Sequence, residues 1–308
     1  MKILIELPTW LGDAAMATPA IENLMSHYGD VEVTLLGSFE SIELLKNHSK
    51  VIESHILEKN YFKLHKTINS FGEFDEFFSF RSSLRSKFIK LCISSKGKYQ
   101  FDKKKYNKGH QVEKYNNFIN DSININTSAF RLMLHTEKKI QNKKNKLLGI
   151  NPGASYGSSK RWYPQKFADV ARDLSPQYDI VIFGGPGEKD IAAEIEKYLI
   201  NYGFKNYKVL AGKTSIKELV FKISNLDLFI TGDSGPMHLA AAFQIPTVAI
   251  FGPTNDKETS QWMNEKSVVV KKSLECQPCM KRTCPLSHHK CMKGIQASDV
   301  MSAVLRLN

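Results

Sequence analysis

No apolar run in this chain approaches the ~20 residues that a helix needs to cross a bilayer. The opening residues, Met1-Lys-Ile-Leu-Ile-Glu-Leu-Pro8, begin like a secretory leader. However, Glu6, Pro8 and Asp13 break up the apolar core that a leader requires. The expectation is a soluble, cytoplasmic protein. Acidic residues are scarce in one place: between Arg81 and Lys108 ten Lys/Arg stand against a single acid, Asp102, in a chain of net charge +12. Such a block suits an anionic membrane surface, a phosphorylated ligand or nucleic acid, or it is a solvated helix face. No zinc-finger, RRM-type or helix-turn-helix pattern accompanies it, which argues against nucleic acid. Two nucleotide signatures are missing as well. Gly184-Gly-Pro-Gly187 lacks the G-x-G-x-x-G spacing. Ala211-Gly-Lys-Thr214 lacks the upstream glycine of a P-loop, so Thr214 reads as a helix cap. Cysteine is sparse outside one tract: Cys92 lies in an apolar helical stretch and reads as core.

What is present reads as α/β. A length of 308 residues, 42% of them hydrophobic, supports two domains with separate cores. In the first half, strands are expected at Lys2–Leu7, Val31–Leu36 and Val51–Leu57. The loop Pro8–Asp13 leads into a helix to about Tyr28, and Ser38–Lys46 is helical. Gln141–Lys146, almost without apolar content, reads as a linker. In the second half, Lys146–Asn151 and Asp179–Phe183 are strands and Pro164–Leu174 is a helix with proline in its first turn. A helix follows from Glu188, another after Thr214, and a last one near Ser298–Leu305 with Ser298 as its cap. The expected domains are 1–145 and 146–308, each a doubly wound, Rossmann-like parallel sheet, facing one another across a cleft.

The segment 226–252 carries the most functional information. Leu226–Gly232 reads as a buried strand, Asp233-Ser-Gly-Pro-Met-His238 as a tight corner, and the alanine-rich stretch as a short helix before a second strand. Ligands of such sheets sit at the carboxyl ends of the strands. Gly232 and Gly235 allow close approach, and a helix N-terminus favours an anion. The corner reads as a phosphate cradle, or as an ordinary strand–turn–helix connection.

Several motifs stand in a fixed order: Gly12-Asp13, Asn151-Pro-Gly-Ala-Ser155, Lys160-Arg-Trp-Tyr-Pro164, Gly232-Asp-Ser-Gly-Pro-Met-His238 and Phe251-Gly-Pro253. Together they resemble the lipopolysaccharide heptosyltransferases, family 9 glycosyltransferases of GT-B fold. The tract Cys276–Cys291, spaced C-x2-C-x4-C-x6-C, resembles that of the type II members, which add the second heptose; members with another core acceptor are the alternative. The resemblance implies an ADP-heptose donor, a heptosylated Kdo–lipid A acceptor in the anionic cytoplasmic leaflet, and inverting transfer with no metal or other cofactor. A non-catalytic nucleotide-binding module is the rival from another class.

By that resemblance Asp13 is the catalytic base, although a helix N-cap uses the same chemistry. Lys160 stabilises the leaving diphosphate, Arg161 beside it either taking that role or being solvated, and Gly12 and Ser159 also bind the donor. Ser234, Gly235, Met237 and His238 complete the donor cradle, Pro236 having no N–H to give. Asp233 holds the loop or a sugar hydroxyl. Glu188 accepts from a ribose diol, or complements a helix dipole. Arg81, Arg85 and Lys87 face the acceptor and the membrane. The cysteine tract has three readings: a structural zinc site using thiolates with or without His288 or His289, reduced thiols, or a disulfide.

Overall fold

The computed structural model describes residues 1–136, 144–153 and 155–307. They form two compact units, Met1–His135 and Thr136–Asn308. Of the expected linker, residues 141–143 lie outside the described residues, and so does Ala154. At its other end Lys146 already begins a strand.

The first unit runs β1 (Lys2–Glu6), α1 (Leu11–Tyr28), β2 (Glu32–Gly37), α2 (Phe39–Leu45), β3 (Val51–Ile56), α3 (Tyr61–Ser70), β4 (Phe74–Ser79), α4 (Leu84–Cys92), β5 (Ser95–Gln100) and α5 (Gln111–Ile123). Its five strands are parallel, in the order β3-β2-β1-β4-β5. The central β1 is covered on both faces, and Ile3, Leu4 and Ile5 are fully buried, as parallel sheets require. Side chains of Ser38, Asn60 and Ser83 cap α2, α3 and α4 by accepting first-turn N–H groups.

The second unit runs β6 (Lys146–Asn151), α6 (Pro164–Leu174), β7 (Tyr178–Ile182), α7 (Lys189–Asn201), β8 (Tyr207–Val209), α8 (Ile216–Ser224), β9 (Leu228–Gly232), α9 (Gly235–Ala242), β10 (Thr247–Ile250), α10 (Asp256–Thr259), β11 (Ser267–Val270), α11 (Lys290–Lys293) and α12 (Ala297–Leu305). Six parallel strands take the order β11-β10-β9-β6-β7-β8. The buried Trp162 ring packs edge-on against Phe167 at 4.8 Å, and its indole N–H donates to the Ile295 carbonyl. A large apolar body is thus buried without stranding its polar group.

Several local expectations need correction. Gly12 and Asp13 are not in a loop: α1 begins at Leu11, which puts Asp13 in its first turn. The basic block is not one helix but divides among the β4–α4 connection, α4, β5 and a following turn. Cys92, read as core, is half-buried and packs against the core of the first unit. Ser215, not Thr214, caps α8, because only Ser215 has Glu218 three residues on to return a hydrogen bond. Likewise Gln296, paired with Asp299, precedes α12, and Ser298 lies inside the helix.

Candidate active site

Each sheet has one topological switch point, where the chain leaves one side of its first strand and returns on the other. It lies between β1 and β4 in the first unit and between β6 and β9 in the second. Crevices for ligands open at the carboxyl ends of such strands, and the motif residues gather there.

At the β6–β9 point, Lys160 Nζ forms an ion pair with Asp233 Oδ2 at 2.5 Å, with both side chains largely buried. Thr254 Oγ1 donates to the same carboxylate oxygen at 2.6 Å. The Lys160 ammonium also lies 4.6 Å from the centre of the Tyr156 ring. Asp233 therefore orients the lysine, and its charge is balanced by it. Asn151, at the end of β6, donates through Nδ2 to Ser234 Oγ at 3.1 Å. Its Oδ1 is buried and accepts no hydrogen bond. Arg161 Nε is likewise buried with no acceptor. Asn151, Tyr156 and Thr254 are absent from the site expected from sequence, although Asn151 stands inside one of its motifs, and Arg161, the sequence's alternative to Lys160, lies beside it.

The other expected donor residues divide. Ser234 is the N-cap of α9, and Gly235 begins the helix. Met237 leaves the cradle: its N–H donates to the Ser234 carbonyl at 3.2 Å, and its side chain packs with Ala249 and Phe251. His238 is buried in the first turn. Ser159 is bound to the cysteine tract instead, its hydroxyl donating to the Lys281 carbonyl at 2.5 Å and its N–H to that of Arg282. Glu188 Oε2 accepts from the Gly185 N–H at 2.7 Å, so the carboxylate does close off a helical turn. It also leans over Gly153 at the end of β6, where a β-carbon would come within 1.9 Å of its carboxyl carbon. Gly153 is the glycine that gives the carboxylate its room; a β-carbon on Gly232 would make only ordinary contacts.

At the β1–β4 point, Glu6 is fully buried and accepts from Ser79 Oγ at 2.6 Å and Ser86 Oγ at 2.8 Å. Burial pushes its carboxyl above the ordinary range, against those hydrogen bonds and the charges of Arg81 and Arg85. Arg81 Nη1 lies 3.5 Å from Glu6. Arg85 Nε and Nη2 are buried with no hydrogen-bond partner, and its guanidinium sits 5.8 Å from the Tyr61 ring centre. These two arginines therefore turn inward, correcting their membrane-facing placement; Lys87 is exposed. Asp13 is half-buried and Gly12 buried. The N-cap of α1 is Trp10, so the capping alternative for Asp13 does not hold. Burial, and then the neighbouring Asp13 charge, push the Tyr115 hydroxyl well above its ordinary range, which keeps it protonated.

The cysteine tract packs on the loop that bears Lys160. Tyr156 Oη donates to the Met280 carbonyl at 2.7 Å, and His289 Nε2 meets the Ser159 carbonyl at 2.9 Å. All five cysteines are free of disulfides. The His289 N–H donates to Cys284 Sγ at 3.4 Å, and such backbone bonds hold that thiol below its ordinary range, whereas burial pushes Cys291 up. Elsewhere Glu22, His48 and His135 place a ligand atom each within 4.8 Å of one another. There His48 accepts the Lys50 N–H at Nδ1 and meets Glu22 through Nε2 at 3.2 Å, a satisfied pair needing no ion.

Two parallel α/β units, each with its charged side chains at the switch point of its sheet, have the architecture of the GT-B type glycosyltransferases. The sequence profile of glycosyltransferase family 9 (heptosyltransferase) matches residues 79–290, and the chain belongs to that family. It is 45% identical to lipooligosaccharide heptosyltransferase 2 of Campylobacter jejuni subsp. jejuni serotype O:2, across 100% of this chain and 98% of that one. The protein of the same description from serotype O:6 is 43% identical, across 100% and 99%. Among solved structures, that of E. coli ADP-heptose lps heptosyltransferase II superposes with a TM-score of 0.83 at 22% identity, covering 100% of this chain and 98% of that one.

Proposed function

We propose that this enzyme transfers heptose from ADP-heptose to the inner core of lipopolysaccharide or lipooligosaccharide, adding the second heptose to the first. The two relatives of the same description, each matched over the full length of this chain, favour this acceptor over other core positions. The observation that carries the reading is the Lys160–Asp233–Thr254 arrangement at the β6–β9 switch point.

In this reading the acceptor hydroxyl oxygen attacks the anomeric carbon from the face opposite ADP. Its proton passes to the Asp13 carboxylate as the bond to the diphosphate breaks, and the electron pair leaves with ADP. Asp13 provides general-base catalysis. Lys160, aimed by Asp233, provides the preorganised positive charge that the departing diphosphate needs. Arg161 Nε and the N–H groups of Ser234 and Gly235 support it. Glu188 and Asn151 Oδ1 are acceptors for donor hydroxyls. Tyr115, protonated beside Asp13, steadies that carboxylate without competing for its proton.

On the first unit, the Arg85 guanidinium offers buried, unengaged donors to an anionic group of the acceptor, with Glu6 holding the neighbouring Arg81 in place. Contact with the anionic leaflet is assigned to exposed Lys87, Lys103, Lys104 and Lys108, each contributing about 1 kcal/mol near such a surface. No helix among the described residues is long and apolar enough to cross a membrane. The test of the donor half is ADP affinity by calorimetry in wild type and Lys160→Ala; unchanged affinity would remove Lys160 from the phosphate site.

A further inference from the structure

We propose that Cys276, Cys279, Cys284 and Cys291 together bind one tetrahedral Zn2+ ion, and that this ion locks the tract against the loop carrying Lys160. All four thiols line one cavity of about 20 Å³, which is space for a single water-sized occupant. The fifth cysteine, Cys92, belongs to the other unit. A void of that size, lined by four thiols among apolar neighbours such as Pro253, Pro285 and Leu286, has little to offer water and much to offer a thiophilic cation.

The backbone around the void is arranged for thiolates. The His289 N–H points at Cys284 Sγ, the kind of outer-shell donor that orients and steadies a metal-bound thiolate. Met280, Ser287 and His289 all adopt left-handed φ values, of 54°, 53° and 48°. Each such residue costs about 1–2 kcal/mol, and strain of this kind persists where the surroundings over-determine it. Half of the six described non-glycine residues with positive φ fall in this one tract. An ion binding four cysteines supplies that over-determination.

Ligand choice follows by engagement. Both ring nitrogens of His289 are occupied, Nδ1 by Tyr163 Oη at 3.2 Å and Nε2 by the Ser159 carbonyl. His288 already accepts the Lys290 N–H at Nδ1. His288 also lines the void, but four thiols by themselves fill a tetrahedral set. Each releases its proton to solvent on binding, four in all, and the site keeps a net charge of two negative. Between Cys276 and Cys291 there is no acid, while Lys281, Arg282 and Lys290 supply compensating charge. The sulfurs ring the void without yet converging as closely as the Glu22–His48–His135 group does. Metal–sulfur bonds of about 2.3 Å draw them in by side-chain rotation, to S···S separations of about 3.8 Å.

The lock rests on the assignment of Lys160 to the donor diphosphate; the ion site does not. Fully reduced, metal-free protein is titrated with Co2+ under anaerobic conditions and followed by absorption spectroscopy. Saturation at one ion per chain, with thiolate-to-cobalt charge transfer and intense tetrahedral d–d bands reversed by Zn2+, supports the site. Alkylation read by mass spectrometry should leave the four tract cysteines protected in the Zn2+-loaded wild type and modified after chelation. Cys279→Ser/Cys284→Ser should lose the tetrahedral spectrum and Cys92→Ser keep it. Absence of a saturable tetrahedral signal in the reduced wild type overturns the site, as does a disulfide among the four in protein isolated without reductant. ADP affinity measured on the same loaded and metal-free samples should fall several-fold on removal. Equal affinities with the spectrum intact would overturn the lock and leave the ion site standing.

Discussion

Replacing Gly157 by alanine should disable donor binding from a position that never touches the donor. A β-carbon there would lie 2.3 Å from the carbonyl oxygen of Arg282 and 3.0 Å from its Cα. Those atoms are backbone, so no side chain can swing aside, and the loop or the tract must shift by about 1 Å. Overpacking of this kind costs about 1–3 kcal/mol. At roughly 2–4 °C per kcal/mol for a domain of this size, Gly157→Ala should melt measurably lower. The functional loss should be larger, because Lys160 sits three residues on, and its loop is tied to the tract through Ser159 and Tyr156. A displacement near 1 Å at a positioning element can cost ~100-fold in rate. The assays are thermal unfolding, ADP calorimetry and kcat. Gly72→Ala is the control, since nothing lies within 4 Å of a β-carbon there. If Gly157→Ala melts, binds ADP and turns over like Gly72→Ala, the tract does not position Lys160 and the reasoning fails.

Three further outcomes are expected. Lys160→Ala should weaken ADP binding by about 10–100-fold, the worth of a hydrogen bond to a charged group. It should also lower stability by leaving the buried Asp233 carboxylate without its cation; Asp233→Asn added to it should restore stability but not affinity. Arg85→Gln should raise the acceptor KM about 10-fold or more with ADP affinity unchanged, and a matching loss of ADP affinity would contradict a role confined to the acceptor. Asp299 is held below its ordinary carboxyl range first by the Gln296 N–H and then by Lys272. A depressed carboxyl stabilises the fold above its unfolded value, near 3.8, and that stabilisation is lost as pH falls through the folded value. Asp299→Asn should therefore melt lower than wild type at pH 6 and converge with it in acid; parallel curves would contradict the assignment.

Legibility in the sequence followed the reach of the interactions. β6 and α6 were readable to the residue, because unbroken apolar runs and a first-turn proline are local signals. The position of Asp13 was nearly so, but Gly12 hid a helix that starts earlier than glycine propensity suggests. Caps failed by one residue at Ser215 and by two at Gln296, where the deciding partner is an acid three positions on. The inward turn of Arg81 and Arg85 was not legible at all. For Arg81 it depends on Glu6, 75 positions away, which β-sheet pairing of β1 with β4 brings beside it, and Arg85 lies by the distant Tyr61 ring. Ser159 and Met237 were lost for a similar reason, since their polar groups are taken by the Lys281 and Ser234 carbonyls. The gathering of four cysteines about one void was only half legible, since the C-x2-C pair has a metal-site spacing and the x4 and x6 intervals do not. That the same tract grips the Lys160 loop was not legible, because those contacts span more than a hundred residues.

Transfer by Asp13-assisted attack is tested by one side-by-side measurement. Purified wild type and Asp13→Asn are each given ADP-heptose and a one-heptose inner-core acceptor, with ADP affinity measured on both. Wild type should form product, Asp13→Asn should lose at least ~100-fold in turnover, and ADP affinity should be equal in the two. Turnover retained by Asp13→Asn, or no product from a wild type that binds ADP, would contradict Asp13-assisted transfer.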